Sequence, residues 1–183
     1  MEKLAIFMAD GCEEIEGLTV VDLLRRAGIP IEMLSLQDST QVRGSHGIVF
    51  EADLTLEQAD LSAYTGIVLP GGMPGTTHLK ENPLVRDAVK TFAAAGKLVA
   101  AICAAPTVLG SCGVLNGKAA ICYPGLEDQL TGAVVRKEPV VEDGNLITSR
   151  GMGTAIPFGL AIVARFQGQA AAEALAEKIV FQQ

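Results

Sequence analysis

Cys103 lies where an apolar run gives way to a helix start, in Leu98-Val99-Ala100-Ala101-Ile102-Cys103-Ala104-Ala105-Pro106-Thr107-Val108-Leu109. The run is short enough for a central strand, and Pro106 suits a first helical turn, where its missing N–H costs nothing. Small residues (Ala101, Ala104, Ala105) surround the cysteine, as a sharp strand-to-helix turn requires when strand and helix pass close together. Such a turn presents one nucleophile at the carboxyl edge of a sheet. Taken alone, Cys103 is read equally well as a small buried hydrophobe.

Three glutamates follow the first strand, in Asp10-Gly11-Cys12-Glu13-Glu14-Ile15-Glu16-Gly17. The helix dipole favours acids at a helix start, and Glu13 and Glu14 fit that as solvated residues. If the first strand neighbours the Cys103 strand, one carboxyl points at the thiol, and Glu16 is the best placed. A carboxyl pressed against a thiolate in a dry site stays protonated, and as a donor it favours the thiolate.

Gly71-Gly72 is either a plain tight turn or a place where backbone N–H groups approach a substrate oxygen, with Ala104 giving the second donor. Neither His46 nor His78 adjoins the cysteine, so the sequence lacks a thiolate–imidazolium arrangement of the peptidase kind. His46 is expected in a loop and His78 on the helix after the glycines. Tyr123, before Pro124-Gly125, is a turn residue whose phenol could face the site. Arg150, after a strand and before a helix, is an anion anchor or a structural arginine. Cys12, Cys112 and Cys122 are expected to be packing residues.

The elements that must position these groups alternate between strand and helix. Strands are predicted over Lys3 to Met8, Ile29 to Leu36, Gly66 to Leu69, Lys97 to Ile102, Ala119 to Tyr123, Ala133 to Arg136 and Leu146 to Thr148. Helices are predicted over Ile15 to Ala27, Pro83 to Ala95, Gly153 to Phe166 and Gln169 to Phe181, with short strands or a hairpin over Thr40 to Glu51. This is one α/β sandwich, residues 1–183, with a mainly parallel sheet whose carboxyl edge carries both the Gly71-Gly72 loop and Cys103.

Of the 183 residues, 49% are hydrophobic and 19% charged, which excludes disorder. A net charge of −7 and only 4% aromatic residues argue against nucleic-acid binding. The longest uncharged stretch, Leu98 to Gly117, is broken by Pro106, Gly110, Gly113 and Asn116, so it reads as core and no membrane span is expected. The N-terminus enters a strand directly without the pattern of a signal peptide, so a cytoplasmic location is expected. With no C-x-x-C pair and no histidine cluster, free thiols are expected and a metal is not.

Together these segments resemble the DJ-1/PfpI superfamily, specifically its small single-domain branch related to the human parkinsonism-associated protein. The likeness rests on Glu-Glu-Ile-Glu at 13–16, Val-Val-Asp-Leu-Leu-Arg-Arg-Ala-Gly at 20–28, Val-Leu-Pro-Gly-Gly at 68–72, Ala-Ala-Ile-Cys-Ala-Ala-Pro at 100–106 and Thr-Ser-Arg-Gly-Met-Gly-Thr at 148–154. It implies a flavodoxin-like, class I glutamine amidotransferase-like sandwich and a homodimer. It also implies that Cys103 is the reactive elbow cysteine, Glu16 its protonated partner, and Gly72 and Ala104 the oxyanion-hole amides, with Gly71 alongside. Arg26 and Arg150 match two arginines of an anion-binding region, and His46 stands where a third would be. Tyr123 replaces a histidine of the human-type relatives, and Ala104 stands where the peptidase-like branch has histidine.

The resemblance implies a glutathione-independent glyoxalase or deglycase acting on small reactive aldehydes such as methylglyoxal, with no cofactor. The alternative is a redox sensor or stress chaperone whose accessible, low-pKa Cys103 is oxidised to a sulfinate held by Glu16.

Overall fold

The computed structural model describes residues 2–182. Along the chain run β1 (Leu4–Met8), α1 (Glu14–Arg26), β2 (Ile31–Ser35), β3 (Gln41–Arg43), β4 (Val49–Glu51), β5 (Leu54–Thr55), β6 (Gly66–Leu69), α2 (Gly75–Glu81), α3 (Pro83–Ala94) and β7 (Leu98–Ile102). They are followed by α4 (Pro106–Ser111), β8 (Ala119–Ala120), β9 (Val134–Val135), β10 (Val140–Asp143), β11 (Leu146–Ser149), α5 (Ala155–Gln167) and α6 (Gln169–Lys178).

Seven strands form one sheet in the order β10-β11-β7-β6-β1-β2-β5. Only β10 runs antiparallel to its neighbour. Strand periodicity divides β1 between two cores. Leu4, Ile6 and Met8 join Leu23, Phe158 and Ile162 from α1 and α5 on one face. Ala5 and Phe7 join Val89 and Phe92 of α3 and Leu109 of α4 on the other. Every residue of β1, β6 and β7 is buried, which is why these strands read as continuous apolar runs and not as alternation.

Three expectations need correction. β6 lies between β1 and β7, so the first strand does not adjoin the Cys103 strand. The strand expected over Ala119 to Tyr123 is only β8, paired with β9 in a separate small sheet. Beyond Ala120 the amides leave the ladder: Ile121 donates to the Thr148 hydroxyl and Tyr123 to the Cys103 carbonyl. The last helix stops at Lys178, before Phe181. Strand β10 is not among the predicted elements, although Gly144-Asn145, with glycine at the first central position, is the two-residue turn that joins it to β11. The hairpin expected over Thr40 to Glu51 is β3–β4.

Candidate active site

Cys103 follows the last residue of β7 with φ 66°, a left-handed backbone that a non-glycine residue rarely adopts. Three contacts hold it there. Its N–H donates to the Ser149 carbonyl at 2.9 Å, its carbonyl accepts from the Tyr123 N–H at 2.7 Å, and Pro106 opens α4 just beyond. Cys103 is partly exposed, and the backbone N–H groups of Ala104 and Gly72 favour its thiolate form. The two amides expected to face developing negative charge thus both act on the thiol.

Glu16 reaches the same point from α1 despite the intervening strand, because the loop after β6 bridges the gap. Glu16 is 1% exposed, and its Oε2 accepts from the Gly71 N–H at 2.9 Å. Oε1 has no hydrogen-bond partner among the described residues. Gly71 is tied into this contact: a Cβ there would lie 2.6 Å from the Cys103 Cβ and 2.7 Å from Glu16 Oε2. Its N–H serves the carboxyl. Gly72 has φ 90°, and a Cβ on it would fall 2.3 Å from the Glu13 nitrogen, so only glycine fits.

Burial pushes the Glu16 carboxyl up to about 7, although hydrogen bonds from Cys103 and Gly71 oppose it. Burial, then the charge and hydrogen bond of Glu16, push the Cys103 thiol up to about 12 against the Ala104 and Gly72 amides. Burial and the neighbouring carboxyl thus both work against the thiolate, and the two amides work for it. Two negative charges in one dry site repel, so the pair loses a first proton near 7 and a second near 12. Between those values it is a monoanion. The sulfur carries its charge when Glu16 keeps the remaining proton.

Glu14 is the residue most misjudged from sequence. It is 3% exposed, not solvated. Its Oε1 accepts from the His46 and Ile48 N–H groups at 2.9 and 3.4 Å, and its Oε2 lies 3.4 Å from the Ser45 hydroxyl and 3.3 Å from His46 Nδ1. Burial opposes the charge, yet these donors and a backbone N–H win and hold its carboxyl below the usual range. Glu14 clamps the β3–β4 turn onto the site's helix. Glu13, Glu14 and His46 offer ligand atoms within 4.8 Å of one another, but the Glu14 oxygens are already taken up by protein donors, so no open cation site results.

Of the other expected contacts, the Tyr123 ring lies near the thiol, Arg150 stands in the chain between two residues that approach Cys103, and Arg26 and His46 lie elsewhere. A side chain at Gly151 would begin 3.5 Å from the Tyr123 ring and 4.0 Å from the Cys103 sulfur, which places that ring at the rim. Arg150 is exposed between Ser149, which holds Cys103, and Gly151. Arg26 stands ten positions after Glu16 on α1, about 15 Å along the axis. It pairs with Asp22 at 2.6 Å and lines a different concavity with Ile15, Leu23 and Lys178. His46 sits on the β3–β4 turn, 73% exposed and directed to Glu13 and Glu14. His78 is on α2, as expected, with Nδ1 2.9 Å from the Asp10 carbonyl. Cys12 and Cys122 are buried and Cys112 partly so, all as free thiols.

The fold and site define an α/β sandwich with a cysteine–carboxyl pair at the carboxyl edge of a mainly parallel sheet. A family model described as DJ-1/PfpI family matches residues 2–165, and the chain belongs to that family. Protein dj-1beta of Drosophila melanogaster is 39% identical over 183 residues, covering 98% of each chain. The glutathione-independent glyoxalase DJR-1.2 of Caenorhabditis elegans is 33% identical over 168 residues, 90% of this chain and 88% of that protein. Among solved structures, Toxoplasma gondii DJ-1, oxidized, matches with a TM-score of 0.95 at 33% identity, covering 100% of both chains.

Proposed function

We propose that this chain is a cysteine-dependent, glutathione-independent glyoxalase acting on 2-oxoaldehydes such as methylglyoxal. The observation that carries the reading is the Cys103–Glu16 pair, one sulfur and one buried carboxyl brought together around Gly71, each shifting the other's titration. The Caenorhabditis elegans relative bears that activity in its name.

The Cys103 thiolate attacks the aldehyde carbon, a C–S bond forms, and the former carbonyl oxygen takes the Glu16 proton as a hemithioacetal hydroxyl. The Ala104 and Gly72 N–H groups, relieved of the sulfur's charge, are the donors available to that oxygen while it is negative. Glu16, now a carboxylate, removes the C1 proton; the electron pair passes to the neighbouring carbonyl, whose oxygen takes a proton from solvent to give an enediol. Glu16 returns its proton to C2 as the C1 hydroxyl loses its own, which leaves a lactoyl thioester. Water hydrolyses this to lactate and frees Cys103. The sum is methylglyoxal plus water to lactate, with no cofactor. A deglycase would use the same addition step on a glycated amine. Tyr123 stands at the rim as a candidate substrate contact, and Arg150 as the candidate anion contact.

The test is lactate formation from methylglyoxal without glutathione. Turnover lost in Cys103→Ser and Glu16→Gln supports the reading. Turnover no higher in the native chain than in Cys103→Ser overturns it.

The second reading is a redox sensor. It is favoured by Glu16 Oε1, buried without a partner and free to hydrogen-bond an oxygen on sulfur, and by the oxidised state of the Toxoplasma gondii relative. Two equivalents of peroxide would convert the thiolate to a sulfinate with release of two waters. Mass spectrometry after mild peroxide then shows two oxygens on the Cys103 peptide alone. Association of two copies belongs to the same proposal, supported by the exposed apolar residues Ile15, Ile48, Val49 and Val180. So does a cytoplasmic location; no helix among the described residues is long and apolar enough to cross a membrane.

A further inference from the structure

Glu13 is an unusual helix cap. Ser, Thr, Asp and Asn are the preferred residues there because their short side chains fold back onto the first turn, and glutamate is a methylene too long for that choice to be local. In this chain it caps nonetheless: Glu13 Oε2 accepts from the Glu16 N–H at 2.9 Å. Its backbone makes a second link, donating its N–H to the Gly71 carbonyl at 2.9 Å. The Gly71 N–H in turn donates to Glu16 Oε2. Three residues thus close a ring of hydrogen bonds, Glu16 to Glu13 to Gly71 and back to Glu16. The ring joins the start of α1 to the loop that bears Gly72, whose N–H favours the thiolate. The Glu13 carboxyl is 12% exposed, so its charge acts through little solvent.

We propose that Glu13 is a positioning residue for the Cys103–Glu16 pair: its ring of hydrogen bonds fixes the Glu16 carboxyl against the sulfur, and its negative charge holds the shared proton on Glu16. This role within the same site rests on the proposed use of that pair, and it concerns where the proton resides in the monoanion. The Glu13 side chain hydrogen-bonds the residue that bears the carboxyl, and among the described residues no hydrogen bond joins it to the sulfur. Its charge therefore disfavours a carboxylate at Glu16 more than a thiolate at Cys103. The charge on Glu13 is consistent with the upward displacement of Glu16. The groups facing this carboxyl are Glu14 and Glu16 from α1, and His46 from the β3–β4 turn, whose Nδ1 is 3.8 Å from Oε1. Cys103 faces Glu16 from the turn after β7.

The experiment is the pH profile of Cys103 alkylation by iodoacetamide in the full chain, read by mass spectrometry of the Cys103 peptide. It compares the native chain with Glu13→Gln, which keeps an acceptor for the Glu16 N–H but no charge, and Glu13→Asp, which keeps both. In Glu13→Gln the lower inflection moves to more acid pH by roughly half a unit or more. The plateau rate above it falls several-fold, because the proton passes to the sulfur. Glu13→Asp stays near the native profile and guards against a merely unfolded Gln variant. A native profile in Glu13→Gln, or the same change in both variants, overturns the proposal and leaves Glu13 as a cap. The alkylation readout needs no turnover. A shifted profile in a chain inactive on methylglyoxal would sink the glyoxalase reading alone, and an unshifted profile in an active chain would sink this one alone.

Discussion

Glu16→Gln separates two opposite accounts of the site. The amide keeps the shape and can still accept the Gly71 N–H, but it carries neither a charge nor a proton to give. In the native pair the first proton leaves near 7, so at pH 8 about nine-tenths of the molecules are monoanions. Without Glu16, Cys103 is a lone, partly buried thiol. If its burial and the Ala104 and Gly72 amides cancel, it returns to its ordinary value of 9.0. About one-tenth is then thiolate at pH 8, and less if burial wins. Should half of the native monoanions carry their charge on sulfur, iodoacetamide labelling of Cys103 at pH 8 falls roughly fivefold or more in Glu16→Gln. Methylglyoxal turnover falls further, since the proton carrier is gone. Faster labelling in the variant would refute the reasoning: Glu16 would then rest as a carboxylate that suppresses the thiol, and the thiolate–carboxylic acid pair would not be the reactive form.

The raised Glu16 also bears on stability. Its folded value lies above its ordinary 4.5, so the native state is favoured fully below 4.5, and that advantage is lost as pH rises through 7, on the order of 3 kcal/mol in all. Denaturant titrations should show this decline between pH 5 and 8 in the native chain and its flattening in Glu16→Gln. Glu14 behaves oppositely: its depressed value makes its contribution present above 4.5 and lost as pH falls through the folded value. Glu14→Ala is expected to cost about 3 kcal/mol at pH 7, with hydrogen-exchange protection lost first at the His46 and Ile48 amides. Gly72→Ala meets both a positive φ and the Glu13 nitrogen, and should destabilise by about 2 kcal/mol or more while it abolishes the neutral-pH labelling of Cys103. Normal labelling in a folded Gly72→Ala chain would show that the loop is not needed to set the sulfur.

Features carried by local sterics were legible in the sequence. The Cys103 turn was visible because alanines and Pro106 mark a close strand–helix passage, and the β3–β4 hairpin because its glycines interrupt the sheet pattern. Spatial order was not. Nothing between Met8 and Leu98 states that β6 inserts between β1 and β7, so Glu16 was paired with Cys103 through a neighbourhood that does not exist; the Gly71 loop makes the contact instead. Glu14 looked like a solvated helix acid because its donors come from the turn 45–48, thirty residues away and invisible to helix rules. Helical rise alone sets Arg26 far from Glu16 along α1. The state of the thiol depended on burial, which no spacing reports.

The left-handed backbone at Cys103 sets the chain's durability against its chemistry at a single position. A side chain there costs about 1 to 2 kcal/mol that glycine would not incur. Cys103→Gly should therefore melt a few degrees higher than the native chain by calorimetry while losing every reaction of the site. Any procedure that rewards sturdiness alone, whether heat-challenge selection or automated redesign of this backbone, would drift toward glycine at 103 and erase the sulfur. Engineering this scaffold for robustness must hold that residue fixed and find its gains elsewhere.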